Sequence, residues 1–266
     1  MTARTLSLRS LAHLHPSLST RSLGRIGPYR IVTSSHTATA TATAIGTRSI
    51  HRLASGKMSS QDAKVLSSSP LSSSDSKWVT LRSIAWVDPT GKERKWESAD
   101  RTTRRGAVDA VAILPLIHRP EHAPSILLIS QFRAPVGKSV IELPAGLVDE
   151  GESVEMAALR ELEEETGYGT TKDGAEVEIR RTSPVLFNDP GLTGSNMQLC
   201  IVKIKMQKGA KDPVAKPEEG ECIEKYLVDA TRLYDELLAF EKKGYAIDAR
   251  LAHLAAGMQI GGTANL

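Results

Sequence analysis

Apolar and polar positions alternate from Trp78 to Val87, stop at Asp88-Pro89-Thr90-Gly91, and alternate again from Glu93 to Ser98. The intervening four residues have turn chemistry, so residues 77–105 are predicted to form an antiparallel β-hairpin. Gly106–Ile117 is nearly continuously apolar and reads as a buried strand, paired across the Pro120–Ser125 loop with a second strand, Ile126–Arg133. Val140–Leu143 is a short apolar run leading into Pro144-Ala145-Gly146. Between Ser153, a predicted N-cap, and Gly167, a predicted C-terminal stop, the period becomes helical. On that helix Glu161, Glu164 and Glu165 share one face. Met156 and Leu159 point the other way with Leu162 flanking, which predicts that they pack on a sheet. Thr170–Ala175 is a polar loop, Val177–Phe187 contains a strand, and Asn188-Asp189-Pro190-Gly191 is a turn. A strand at Asn196–Met206, a polar loop at Lys208–Gly220 and a strand at Glu221–Val228 follow. Two helices close the chain: Ala230–Lys243, with Leu233, Leu237 and Phe240 inward, and Ile247–Met258. Strands interleaved with a few helices predict an α/β sandwich, and no internal repeat is present.

Composition changes this picture mainly at the N-terminus. Residues 1–57 hold seven Arg, one Lys and no acid, and are rich in Ser and Thr. Leu8, Leu11 and Leu14 recur at helical spacing beside Arg4 and Arg9, and no continuous apolar core of a secretory signal is present. The segment therefore reads as a mitochondrial transit peptide, with a basic tail lacking any address as the alternative. Met58 stands where acids first appear, so initiation there would give a shorter, cytoplasmic form. Residues 58–76 are Ser-rich and read as a linker. The remaining chain carries 26 basic and 31 acidic side chains, an acidic balance that argues against a nucleic-acid-coating surface. No apolar run approaches the ~20 residues that span a bilayer. Cys200 and Cys222 are in no metal-type spacing and suggest a reducing compartment. At 40% hydrophobic the chain can build a sizeable core, but at 4% aromatic each of Trp78, Trp86 and Trp96 merits attention.

Three carboxylates on one helical face repel one another, by roughly 0.2–0.5 kcal/mol per neighbouring pair. Such a face is either wet surface or a divalent-cation site. Its surroundings favour the cation. Gly146 to Tyr168 reads GLVDEGESVEMAALRELEEETGY, placing Gly146, Glu152, Arg160, Glu161, Leu162, Glu164, Glu165 and Gly167 in the register G-x5-E-x7-R-E-U-x-E-E-x-G-U, where U is a bulky apolar residue. Tyr168 fills the last slot, which is more often aliphatic. The stretch resembles the Nudix box of metal-dependent hydrolases that cleave nucleoside diphosphates linked to another group. KWVTLRSIAWVDPTGKERKWES, RTTRR, QFRAPVG, IELPAGLVDEGE, NDPGL and EEGECIE extend the likeness over about residues 77–259, in the order found in eukaryotic ADP-ribose and ADP-sugar pyrophosphatases.

That resemblance implies a Nudix α/β/α sandwich with a mixed sheet at 106–259, preceded by the hairpin at 77–105; the Gly-rich residues 260–266 read as a flexible tail. The resemblance implies Mg²⁺, or alternatively Mn²⁺, held by Glu161, Glu165 and the Ala145 carbonyl. Glu164 would stand close by and Arg160 would orient the glutamates. Glu221 would be the loop general base or an extra ligand, with Glu218, Glu219 and Glu224 as rivals. Trp78 and Trp96 would sandwich adenine from the two subunits of a homodimer, with Glu97 accepting from the adenine amino group; Trp86 is read as core. Arg101 and Arg133 would bind phosphate or ribose oxygens, and Leu147 and Asp189 would line the terminal ribose pocket. One departure is that Pro190 lies 22 residues after Tyr168, farther than usual; the excess, in the Gly169–Glu178 loop, is expected to alter the pocket rim. The implied reaction is hydrolysis of ADP-ribose, or another ADP-sugar, to AMP and a sugar phosphate. Alternatives are action on another nucleotide, such as an oxidised one, and an ADP-ribose sensor without turnover.

Overall fold

A computed structural model describes residues 50–53, 59–172, 174–217 and 220–263. Most of the predicted targeting segment, Met58, Glu218, Glu219 and the last three residues lie outside the described residues. In chain order the elements are β1 (Ile50–Arg52), β2 (Val79–Val87), β3 (Glu93–Arg101), β4 (Ala110–His118), β5 (Ser125–Arg133), β6 (Lys138–Glu142), β7 (Ala145–Leu147), α1 (Val154–Thr166), β8 (Ala175–Thr182), β9 (Leu186–Phe187), β10 (Asn196–Met206), β11 (Glu224–Asp229), α2 (Leu233–Lys242), β12 (Ala246–Ile247) and α3 (Ala249–Thr263). One mixed sheet has the path β1-β11-β5-β4-β10-β8, with β6, β7, β9 and β12 joined to its members. Its centre is the parallel pair β4–β10, in register from Ala110↔Met197 to His118↔Lys205.

The two faces of this sheet bury two cores. Val111, Ile113, Leu127, Cys200, Val202 and Leu227 pack against Ala157, Ala158 and Leu162 of α1. Leu114, Ile126, Leu128 and Tyr226 face the other way, against Leu233, Leu237 and Phe240 of α2 and Leu251 and Ala255 of α3. Residues 126, 127 and 128 thus alternate between layers, as a strand covered on both sides must. The result is the α/β/α sandwich with a mixed sheet, preceded by an antiparallel hairpin: β2 and β3 form a separate two-stranded sheet, Val79↔Arg101 to Val87↔Glu93.

α1 begins and ends where the sequence predicts. The Ser153 hydroxyl accepts from the Met156 N–H at 3.2 Å. Gly167 takes the left-handed conformation, φ 86°, that closes a helix without a Cβ clash. The facing of the helix differs from expectation. Met156 is exposed, whereas Ala157, Ala158, Leu162, Glu165 and Thr166 are buried. The acidic face is turned toward β7, where Glu165 meets Ala145 and Glu161 meets Gly146, and shares the buried arc with Leu162, so Met156 is left in solvent.

The N-terminal boundary also moves. β1 lies within the range read as a targeting segment, yet it pairs antiparallel with β11, from Ile50↔Val228 to Arg52↔Tyr226. Leu53 is buried in the α1-side core. Ser60, at the start of the range read as a linker, is fully buried. Its N–H and hydroxyl donate to Glu224 at 3.1 and 2.8 Å, and Arg52 ion-pairs with the same carboxylate. Short polar residues that satisfy a buried charge do not look apolar in sequence, which is why the stretch read as linker. At the other end α3 runs to Thr263, into the range read as a tail. Among the described residues no helix is long and apolar enough to cross a membrane.

Candidate active site

The carboxylates of α1 are organised by one guanidinium. Arg160 Nη1 donates to Glu161 at 2.8 Å and to Glu164 at 3.1 Å. Its Nε and Nη2 each donate to Glu152 at 3.0 Å. Nη2 also donates to the Leu147 carbonyl at 3.0 Å. A planar fork with five donors can tie a helix to the loop before it in this way. The pairing with Glu152, above all, holds the Arg160 pKa well above its ordinary value and the Glu152 pKa below its own.

Glu161 and Glu165 are in a different condition. Glu165 is 3% exposed and accepts from the Ala145 N–H at 3.1 Å. Burial, and next the charge of Glu161, push its pKa up to about 9. Burial raises Glu161 too, against the pull of Arg160. The charge of Glu221 raises both groups further, so the chain leading into β11 brings this half-buried carboxylate back to α1. Gly146 completes the enclosure. A Cβ there would lie 1.9 Å from the Glu161 carboxyl carbon, so glycine lets the backbone of β7 lie over these carboxylates with Glu161 in its present position. Glu224 is excluded as a rival to Glu221, because it is buried and bound to Ser59, Ser60 and Arg52.

Buried carboxylates that repel one another beside exposed backbone form an all-oxygen donor set, the kind that hard divalent cations take. The fit is chemical, not yet geometric. Among the described residues no three His, Cys, Asp or Glu side chains converge as a ready cage. Arg160 draws Glu161 and Glu164 toward itself instead.

Beside β7 opens a cavity of about 720 Å³. Arg101, Arg133, Ala145 and Leu147 line it, together with Glu142, Val140, Asn188 and the Ala246–Arg250 segment. Four of the residues nominated from sequence therefore meet here. Asn188 lines the cavity and the exposed Asp189 does not; the Asp189 carbonyl instead accepts from the Leu192 and Thr193 N–H groups at 3.0 and 2.9 Å. Glu142 was not nominated. It is buried and accepts from Arg133 Nε at 2.9 Å and Nη2 at 2.8 Å, which aims the guanidinium, while burial raises its own pKa. A charged residue interrupting the apolar run Val140–Leu143 was the available signal. Arg250, locked to Asp248 at 2.6 Å, was missed because nothing local marks it. The Gly169–Glu178 loop does not reach this rim. It packs on the 206–213 segment, with the Gln207 N–H donating to the Gly174 carbonyl at 2.8 Å.

The hairpin residues are not gathered at the cavity. Trp78, Ile84, Trp86 and Trp96 share one face, whereas Glu97 and Arg101 lie on the other. Trp78 stands six residues from Ile84, the partner of Trp96, so the two indoles are roughly 20 Å apart along the hairpin. One chain cannot close both on a single base. Trp78, Trp96 and also Trp86 are exposed, at 69%, 51% and 40%, so Trp86 is not core. Trp96 Nε1 donates to the Gly191 carbonyl at 3.0 Å, and the Ala99 N–H to the Leu192 carbonyl at 3.0 Å. These contacts tether the hairpin to the 189–194 loop.

A carboxylate-bearing helix capped by glycine, lying under a glycine-containing strand in an α/β/α sandwich, defines the class. The NUDIX domain matches residues 107–249. An uncharacterised Nudix hydrolase of Schizosaccharomyces pombe is 46% identical over 76% of this chain and 95% of its own. The ADP-ribose pyrophosphatase of Saccharomyces cerevisiae is 42% identical over 74% of this chain and 84% of its own. The ADP-sugar pyrophosphatase of Mus musculus is 38% identical, covering 68% and 84% respectively. The chain belongs to the Nudix hydrolase family and is closely related to eukaryotic ADP-ribose and ADP-sugar pyrophosphatases. Members of the family typically use a divalent metal.

Proposed function

We propose that this protein hydrolyses the pyrophosphate of ADP-ribose to AMP and ribose 5-phosphate, and that of related ADP-sugars to AMP and the corresponding sugar phosphate. The observation that carries the reading is the cavity of about 720 Å³ with Arg101 and Arg133 in its wall, floored by the backbone strand that covers Glu161 and Glu165. The names of the yeast and mouse relatives support the substrate class.

Arg101 and Arg133 hold the phosphate oxygens, Arg133 in the orientation Glu142 imposes. Glu161, Glu165 and the Ala145 carbonyl would hold Mg²⁺, with Mn²⁺ as the alternative; when bound, the cation neutralises charge developing on the phosphate oxygens. Arg160 fixes the rotamers of Glu161 and Glu164. Glu221, whose charge already reaches the α1 carboxylates, takes the proton of the attacking water. Leu147 bounds the distal ribose, with Asn188 in the wall where Asp189 was expected.

The adenine half requires a second copy. The hairpin exposes Val79, Leu81, Ile84, Trp86 and Val87 on its two faces, and an isolated two-stranded hairpin is marginal in water. Apposing two hairpins in a homodimer buries this surface and brings Trp78 of one subunit to Trp96 of the other; Glu97, on the opposite face, stands outside that stack. Residues 1–57 direct the chain to mitochondria on this reading, from their Arg-, Ser- and Thr-rich, acid-free composition. N-terminal sequencing of the native protein tests that point.

The decisive experiment compares kcat/KM for ADP-ribose, ADP-glucose and an oxidised guanine nucleotide with Mg²⁺, following AMP release. ADP-ribose is expected to lead. Preference for the oxidised nucleotide would overturn the substrate assignment. Tight ADP-ribose binding without Mg²⁺-dependent AMP release would make the protein a sensor.

A further inference from the structure

We propose that Tyr168 and Asp212 are positioning residues that fasten the 212–216 segment to the C-terminal end of α1 and so set where Glu221 meets the α1 carboxylates. The inference rests on the role given to Glu221 above. It begins from the one unusual slot in the box. Tyr168 is 1% exposed and packs in the α1-side core, a position an aliphatic side chain would fill. Its hydroxyl is used, however: it donates to the Asp212 carboxylate and accepts from Arg119 Nη2 at 3.2 Å, and Arg119 ion-pairs with Asp212 in turn. Burial above all keeps the phenol protonated, hence a donor.

The rest of the segment is attached to the same helix end. The last carbonyls of a helix lack intrahelical partners. Here the Glu164 carbonyl accepts from the Lys216 N–H at 2.8 Å. The Thr166 carbonyl accepts from Lys225 Nζ at 2.9 Å, and that ammonium, 2% exposed on β11, also donates to the Pro213 carbonyl at 2.7 Å. A cation at this end of a helix also opposes its dipole favourably. A Cβ on Gly167 would come within 2.7 Å of the Val214 carbonyl oxygen, so the segment lies flat on the helix end. Glu221 therefore sits between two fixed points. Lys216 is held to the helix that carries Glu161, Glu164 and Glu165, and Glu224 is held by Ser59, Ser60 and Arg52. Four residues separate Lys216 from Glu221, a tether of at most ~18 Å. Loosening the first point changes where the carboxylate is presented without removing any group that touches substrate.

The test uses the full chain with Tyr168→Phe, Asp212→Asn and, as a control, Tyr245→Phe, which deletes a comparable buried hydroxyl contact to Tyr226 on the opposite side of the sheet. Amide hydrogen exchange is read in peptides spanning residues 213–223. Tyr168→Phe and Asp212→Asn are expected to speed exchange there about tenfold, as loss of a charge-assisted hydrogen bond predicts for local opening. Both should lower kcat on ADP-ribose by about threefold to tenfold with KM within about twofold, and Tyr245→Phe should do neither. Unchanged exchange at 213–223 in both variants would overturn the proposal, as would a kcat loss matched by the control. Exchange is measured without nucleotide, so failure of the substrate reading and failure of this one are separable.

Discussion

The α1 region and the hairpin are both built from residues that the sequence marks for function, yet they stand in opposite states. Around α1 the polar groups are held within the same chain: Arg160 serves Glu152, Glu161 and Glu164, and Glu165 accepts from Ala145. The hairpin has its tryptophans and aliphatics in solvent on both faces. The difference teaches how the labour divides. Chemistry on a pyrophosphate needs groups fixed to fractions of an ångström, and a single packed core supplies that. Recognition of a base by flat rings needs apolar surface that stays open until another surface closes it.

Glu165→Gln should have the largest effect. It keeps volume and the hydrogen bond from Ala145 but removes the charge a cation would need, so kcat is expected to fall about 10³-fold or more; near-normal turnover would remove Glu165 from the site. Stability gives a second reading. A carboxyl whose folded pKa is raised from 4.5 to about 9 stabilises the metal-free fold fully below its unfolded value, and that contribution is lost as pH rises through about 9. Metal-free wild type should therefore lose thermal stability between about pH 5 and 9, Glu165→Gln should lose less, and added Mg²⁺ should restore most at the alkaline end.

Gly146→Ala comes next. The new Cβ would overlap the Glu161 carboxyl at 1.9 Å, and Arg160 already holds that group from its other side. Glu161 must swing away, and kcat/KM should drop about 10²-fold with little loss of melting temperature. A wild-type rate would show that Glu161 is dispensable. Trp96→Ala then probes the other region: KM should rise about tenfold and more than kcat falls. If kcat alone falls, Trp96 serves the tether to Gly191 and not a base. Sedimentation of an Ile84→Glu variant, expected to shift toward monomer and raise KM alike, sharpens whether the hairpin faces a second copy.

Much of this was legible in the sequence because its signals were local. Ser153 and Gly167 bound α1 through their own backbone and hydroxyl chemistry, and period two located β2 and β3. Which way α1 faces was not legible. The acidic arc overlaps the buried one, and hydrophobic periodicity has no means of placing a carboxylate inward. Glu142 and Arg250 join the cavity through pairing across strands and from a distant helix. β1 was hidden for another reason. Three residues, of which only Ile50 is apolar, carry no period, and only the edge of β11 gives them a place.

That strand sharpens the comparison at its weakest point, because the self-sufficiency of the α1 side includes it. Arg52 supplies the cation against a fully buried Glu224 and Leu53 enters the core under α1. Ser59 and Ser60 serve one oxygen of the buried Glu224 and the half-exposed Arg52 the other, so Arg52→Met, which leaves that oxygen without its cation, should cost about 2–4 kcal/mol. In a protein of this size that is a melting shift of roughly 4–15 °C, with kcat unchanged within about twofold. A chain starting at Met58 loses Leu53 and the β1–β11 pairing as well, and should melt lower still than one starting at Gly46. Equal melting of those two chains would show that β1 is dispensable to the fold, and that the α1 side is complete without it.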